Sequence, residues 1–520
     1  MTSTAPRTAA TPAAAPTGFV RAQGGRLVDG TGRPVLLRGV GLGGWLLPEG
    51  YMLQMGPRTQ SPRQIEALVE RLVGRERADE FWRDYRDAFV TEADVARIAA
   101  CGMDHVRVPV NARVVQGPDG EPLEDGYRLL DRLVAWCRTY GLRVLLDLHG
   151  APGGQTGTNI DDSPRGLPEL FMDRRYRDLT LRLWTDMATR YADEPTVLGY
   201  DLLNEPLPNE WQHRYPDQLV ALYRDLTARI REVDAHHLLV YEGPHWSTTV
   251  DIFTQRWDDN SCLQFHKYWS PPDEQSISHF LRARDRLGLP LYMGEGGENE
   301  PDWLYTAFRL YESQEIGWNL WTWKKLDAAT SPVSVTPPDG WGLLVASEDG
   351  TPRLDADRAG EVLDELLANL RLDAATWQPD VLAAATGERP PVIPAWGYGF
   401  RGPGESYEIH RPVPFAAARA ADRAALVWAY DGERPENPFE HVPGRARPAG
   451  AEIGVRLEPG DWLEFELTGA VDTAWYVPEV LGGAGDVRLA TSARGIRATA
   501  RTVATLLRIV RRGTTDDDEV

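Results

Sequence analysis

Only three cysteines occur in 520 residues, Cys101, Cys137 and Cys262. Their odd number and wide spacing exclude a disulfide framework and offer no metal-ligand pattern. All three lie in apolar stretches, so buried structural thiols are expected. Lysine is nearly absent as well: Lys267, Lys324 and Lys325 are the only ones, and arginine carries almost all positive charge. The 56 basic and 77 acidic residues leave a formal charge of −21. So acidic a chain repels polyanions, which argues against nucleic acid as a partner. No run is long and apolar enough to span a membrane. The first residues, rich in Ala, Thr and Pro, lack the basic start and continuous apolar stretch of a secretory signal. Residues 1–20 are expected to be a disordered leader. A cytoplasmic location is the expectation and secretion the alternative. Oligomeric state is not legible.

What is present is globular. Hydrophobic residues make up 42 % and aromatic residues 9 % of the chain, and 520 residues exceed a single ordinary core. From Val35 to Leu370, short apolar runs alternate with amphipathic stretches. Expected strands run over 35–40, 105–109, 144–149, 197–203, 238–241, 263–266, 289–295 and 316–323, with helices between most of them. Eight strands alternating with helices are the pattern of a (β/α)8 TIM barrel, an α/β fold. The expected barrel spans 21–375. Pro379, Pro390, Pro391 and Pro394 mark 376–394 as a linker. Beyond it the helical period gives way to short alternating segments, such as Trp462-Leu463-Glu464-Phe465-Glu466-Leu467. These predict a second, smaller antiparallel β-sandwich over 395–510. Residues 511–520 form an acidic tail. The stretch 497–510 could be a helix face or a last strand.

Two glutamates carry the chemistry. Glu205 sits in Leu202-Leu203-Asn204-Glu205-Pro206, just after the fourth expected strand, and Glu295 closes the seventh. Active sites of such barrels gather at the C-terminal ends of the strands. A pair of carboxylates there supplies what glycosidic bond cleavage needs, a proton donor and a nucleophile or base. A lone glutamate would be better explained as a surface charge. Two at matching strand ends would not.

The motifs resemble glycoside hydrolase family 5, and within it the exo-β-1,3-glucanase-like branch. Arg38-Gly39-Val40-Gly41-Leu42-Gly43-Gly44-Trp45-Leu46 is similar to that branch's first strand. Asp147-Leu148-His149-Gly150-Ala151-Pro152-Gly153-Gly154-Gln155 is similar to its third strand and loop, and Trp321-Thr322-Trp323-Lys324 to its eighth. The resemblance implies a retaining β-glycosidase acting on β-glucosides or β-glucan oligosaccharides, without metal or cofactor. It implies Glu205 as acid/base and Glu295 as nucleophile. Arg107 would pair with Glu295 and keep it ionised, and Asn204 would hold the sugar 2-hydroxyl. His149 and His266 would donate hydrogen bonds around the carboxylates and the sugar. Tyr268 would bond Glu295, and Trp323 would form the floor beneath the sugar.

Three stretches depart from the branch. Gly41 stands where asparagine is usual, Gly296-Gly297-Glu298 replaces a Trp-containing sequence after the nucleophile, and 326–341 is a long eighth loop. Action on a glycolipid or a β-mannoside is therefore an alternative. A sugar-binding protein without activity is the rival of another class. A metal hydrolase is disfavoured, since His149 and His266 are not at ligand spacing. The second domain resembles a carbohydrate-binding sandwich through Gly460-Asp461-Trp462-Leu463-Glu464-Phe465. Trp396, Tyr398, Trp428 and Tyr430 are its candidate sugar platforms, with core packing as the competing reading.

Overall fold

In a computed structural model, residues 18–513 are described, apart from Asn159 and Ala484. Residues 1–17 of the expected leader and 514–520 of the expected tail lie outside them. Eight parallel strands close into a barrel. They are β1 (Arg38–Gly41), β2 (His105–Asn111), β3 (Arg143–Gly150), β4 (Val197–Asp201), β5 (Leu238–Glu242), β6 (Ser261–His266), β7 (Leu291–Gly297) and β8 (Gly317–Trp321). Each pairs with its sequence neighbour, and β8 pairs with β1. Their Val- and Leu-rich runs are buried almost throughout, as parallel strands covered by helices must be.

Most helices begin a turn earlier than their apolar periodicity suggests. Glu124–Tyr140, Pro216–Val233, Glu274–Leu287 and Pro301–Ser313 each open on acidic residues or proline. Such residues suit the free N–H groups and positive dipole of a helix start, but they carry no apolar period. Two helices between β1 and β2, Pro62–Val73 and Arg75–Phe89, were not expected. Their signal was present: Ala78, Phe81, Trp82, Tyr85 and Phe89 recur at helical spacing and are all buried. Cys137 and Cys262 are buried as expected, whereas Cys101 is half-buried at a helix end.

The stretch 376–394 is not a linker. Pro379–Thr386 is a helix, with Pro379 in its first turn and Val381, Leu382, Ala384 and Ala385 buried. Arg309 of the Pro301–Ser313 helix donates to the Ala385 carbonyl at 2.9 Å. The prolines that suggested a spacer serve as a helix start and a strand edge, positions that need no proline N–H. Val392–Pro394 is already a strand of the next sheet.

Two antiparallel sheets follow, one of five strands and one of four. Val455, Leu457, Leu463, Phe465, Ile496, Leu506 and Ile509 are among the residues they bury. The stretch 497–510 resolves as strand, within Gly495–Ala500 and Ala504–Arg511. Trp396 and Tyr398 are core residues, not platforms. Trp428 is half-buried with its ring 5.1 Å from that of Phe415. Of the four aromatics, only Tyr430 is well exposed, at 45 %. Polar contacts tie these sheets to the barrel. Tyr305 donates to the Glu466 carbonyl at 2.9 Å, and the Arg419 backbone N–H donates to Asp273 at 2.7 Å. No helix among the described residues is long and apolar enough to cross a membrane.

Because core and polar contacts run continuously from barrel to sheets, the two should lose structure together despite the length of the chain. Differential scanning calorimetry should give a calorimetric enthalpy equal to the van't Hoff value. Two resolved transitions would show that the sheets are an independent unit.

Candidate active site

The strands deliver their polar residues to one end of the barrel. Arg107 comes from β2, Asp147 and His149 from β3, Asp201 from β4, Glu242 from β5, Gln264 and His266 from β6, and Glu295 from β7. Asn204 and Glu205 lie just past the end of β4. There the chain turns so sharply that Glu205 takes a left-handed φ of 43°, costly for a residue with a side chain. The turn is pinned by Glu242, whose Oε2 accepts the Glu205 backbone N–H at 2.7 Å.

Arg107 is fully buried and sits among four carboxylates. Its guanidinium donates to Asp201 at 2.8 Å and Glu242 at 3.2 Å, lies 3.1 Å from Asp147, and bonds Glu295 closely. It also donates to Asn204 Oδ1 at 2.9 Å. The expected Arg107–Glu295 pair is thus part of a larger cluster. Asn204 Nδ2 lies 3.3 Å from His149 Nε2, so both its polar atoms are engaged within the protein. Gln264 donates to Asp201 at 2.8 Å and also bonds Glu242. Sequence reasoning passed over Asp201, Glu242 and Gln264. The rule that selected Glu205 and Glu295 would have found Glu242, a carboxylate closing an apolar strand.

Glu205 and Glu295 meet at His266. Its Nδ1 lies 2.7 Å from Glu205 Oε1 and 3.6 Å from Glu295 Oε2. The three side chains bring atoms within 4.8 Å of one another. Tyr268 donates its hydroxyl to Glu295 Oε2 at 3.0 Å. Such a trio could by distance alone hold a cation. Burial opposes charge on His266, but Glu242, Glu295 and the bond to Glu205 outweigh it and raise its pKa well above the usual imidazole value. Protonated, His266 is a hydrogen-bond donor with no lone pair for a metal. His149 differs: burial drives its pKa down to about 4, so it stays neutral, 2.7 Å from Asp147.

Glu295 departs from one expectation. Burial raises its pKa above the ordinary carboxyl value; His266 and Arg107 pull it back, and Glu205 adds to the rise. The cations therefore restrain a shift rather than reverse it.

Above the carboxylates opens a cavity of about 330 Å³, lined by both glutamates, Glu49, Tyr51, His149, Tyr268, Trp269 and Trp321, among others. Of the two tryptophans, Trp321 lines this cavity and Trp323, the expected floor, does not. Trp323 lies beyond the end of β8, fully buried, donating its indole N–H to Asp94 at 2.9 Å. Trp321 donates to the Tyr51 hydroxyl at 2.8 Å, and its ring stacks on His149 with centroids 5.6 Å apart. Its ring also explains the first departure. A side-chain carbon at Gly41 would fall 2.8 Å from Trp321 Cε3, and one at Gly43 2.6 Å from Cη2. Glycine at both positions makes room for that ring. The other departures line the cavity too. Glu298 pairs with Lys325, Lys325 lies over the Tyr51 ring at 4.4 Å, and Thr330 comes from the long eighth loop. Glu49 is buried at the cavity wall, its carboxyl raised well above the usual range by burial and then by the charges of Glu295 and Glu205.

Two carboxylates this close, with a guanidinium behind one and a ligand-sized cavity over both, have the geometry of a retaining glycoside hydrolase. Retaining enzymes hold the pair about 5–5.5 Å apart, while inverting ones leave about 6.5–9.5 Å for a water. The chain belongs to glycosyl hydrolase family 5. The model for Cellulase (glycosyl hydrolase family 5) matches residues 72–327. A probable glucan 1,3-beta-glucosidase A of Emericella nidulans is 34 % identical over 355 residues, covering 55 % of this chain and 85 % of that protein. A beta-xylosidase of Phanerodontia chrysosporium is 28 % identical over 348 residues, covering 59 % of this chain and 71 % of its own. A solved endogalactoceramidase structure aligns at 18 % identity and TM-score 0.47, covering 95 % of this chain and 100 % of that one.

The charge on His266 sets the acid side of the pH profile. As the expected nucleophile, Glu295 would need to be ionised, and it loses its charge as pH falls through its pKa. His266 lowers that pKa. His266→Gln should therefore move the acid limb of kcat/KM upward, by about one unit or more. A limb that stays put or moves downward would show that His266 does not hold Glu295 ionised.

Proposed function

We propose that the protein removes single β-linked glucose units from the non-reducing ends of short β-glucans or β-glucosides. In this reading Glu295 attacks the anomeric carbon while Glu205 donates a proton to the departing oxygen. Water activated by the same Glu205 then releases the sugar with its configuration retained. Arg107, His266 and Tyr268 hold Glu295 in place and favour its charged form. Trp321 lies under the sugar ring.

The observation that carries the reading is the meeting of Glu205 and Glu295 around His266, with atoms of all three within 4.8 Å. So close an approach is in keeping with the ~5–5.5 Å of retaining pairs rather than the ~6.5–9.5 Å of inverting ones. Two further points support the choice of substrate. The cavity, at about 330 Å³, is at the small end of the ~300–1,000 Å³ usual for ligand sites and suits a terminal unit better than a long chain. The Emericella nidulans relative, a probable glucan 1,3-beta-glucosidase A, is 34 % identical, with 85 % of its length covered. The beta-xylosidase relative makes the aryl β-xyloside a necessary competitor in any screen.

Proton NMR of the first product from an aryl β-glucoside should show the β-anomer. An α-anomer would make the reaction inverting. Glu205→Ala should slow turnover about 10²–10⁴-fold on unactivated substrates. Azide should restore part of the rate on activated ones, giving a β-glucosyl azide. Rescue of the Glu295→Ala variant instead, with an α-azide, would exchange the two roles. Because the chemistry uses two carboxylates and a protonated imidazole, exhaustive chelation should leave the rate unchanged.

A further inference from the structure

The sheets beyond the barrel reach into the cavity. The connection between Leu426–Trp428 and Ile453–Leu457 crosses to the barrel mouth, where His441 and Pro443 line the same cavity as Glu205 and Glu295. The crossing is held at several points. Asn299 Nδ2 donates to the Phe439 carbonyl at 2.8 Å, a buried bond. Arg447 pairs with Asp302 through two bonds, at 2.6 and 3.1 Å. Asn437 bonds the Trp269 carbonyl, and His441 Nδ1 lies 3.3 Å from Glu300 Oε1. Phe439 is buried, its ring edge-on to Trp396 at 5.2 Å. These contacts explain why the segment keeps its place without regular secondary structure: it is bonded to the loops after β6 and β7 and to the start of the Pro301–Ser313 helix.

Position along the cavity says what this segment meets. The carboxylates form the floor, so the unit being cleaved lies deepest. The group it leaves must project through the mouth. Pro443 is exposed, His441 half-buried, and Trp269 beside them 37 % exposed. The Trp269 indole N–H donates to the Glu298 carbonyl at 2.9 Å, which fixes the ring at the rim. An exposed aromatic face beside an imidazole and a proline suits a pyranose ring: its C–H face packs on the aromatic, and its hydroxyls reach the imidazole.

We propose that the segment 435–447 forms the leaving-group wall of the active site and that His441 is a specificity residue, hydrogen-bonding the sugar that departs. The proposal rests on the glucosidase reading above. It makes the second half of the chain part of the pocket rather than a separate sugar-binding module.

The test compares two substrates that differ only in the leaving group. A β-linked glucose disaccharide presents a sugar to the wall, and β-glucosyl fluoride presents a single atom. In the full-length protein, His441→Ala should lower kcat/KM on the disaccharide about tenfold, the effect of one lost hydrogen bond at the reacting geometry. It should leave kcat/KM on the fluoride within about twofold, which also shows that the variant is folded. Glu300→Gln, which removes the carboxylate beside His441 but keeps the imidazole, should spare more of the disaccharide activity than His441→Ala does. Equal losses on both substrates would reduce His441 to a structural role and overturn the proposal. So would no loss on either. A wild-type protein inactive on both substrates would sink the glucosidase reading and the proposal together, whereas an active one with equal losses sinks the proposal alone.

Discussion

One buried guanidinium governs the arrangement at the barrel mouth. Arg107 contacts Asp147, Asp201, Glu242 and Glu295 without any exposure to water. A single cation cannot balance four carboxylates in a dry interior, and the cluster resolves this by unequal ionisation. Burial pushes Asp147 and Asp201 above the usual carboxyl range, Asp147 to about 8. Burial pushes Glu242 the same way, but His266 and Arg107 overcome it and keep it charged. Removing one partner from a buried ion pair typically costs about 3–5 kcal/mol, because the remaining charge is stranded. Position and charge state are therefore set together, and the turn that presents Glu205 hangs on the same Glu242.

The glycines and Trp321 form a second dependency. Trp321 needs the space that Gly41 and Gly43 leave, and in return it fixes Tyr51 and stacks on His149. The departure from the related branch at position 41 thus matches the packing of Trp321. Glu298 and Lys325 fill the wall where the family resemblance led to an expected tryptophan after the nucleophile.

The barrel was legible because buried parallel strands are short apolar runs with helices between them; Glu205, Glu295 and His266 stood at the ends of those runs, and Arg107 was singled out through the family resemblance. What was not legible followed from three-dimensional neighbourhood. Asp201 looked like an ordinary strand residue until Arg107 was seen beside it, whereas Glu242 closes an apolar strand and was simply passed over. Trp321 and Trp323 share one motif, and only the end of β8 decides which faces the cavity. The prolines of 376–394 suggested a spacer because nothing local reveals that Val381 and Leu382 are buried. His441 lies 236 residues after Glu205 in a segment without regular structure, so no local pattern could connect it to the site.

The central claim is that Glu295 forms the covalent bond and Glu205 serves it as acid and base. The most direct measurement traps that bond. A 2-deoxy-2-fluoro-β-glucoside with a good leaving group slows the second step more than the first and leaves the sugar on the nucleophile. Peptide mass spectrometry of the inactivated protein should find one label, on Glu295. A label on Glu205, or inactivation with no covalent adduct, would contradict the account.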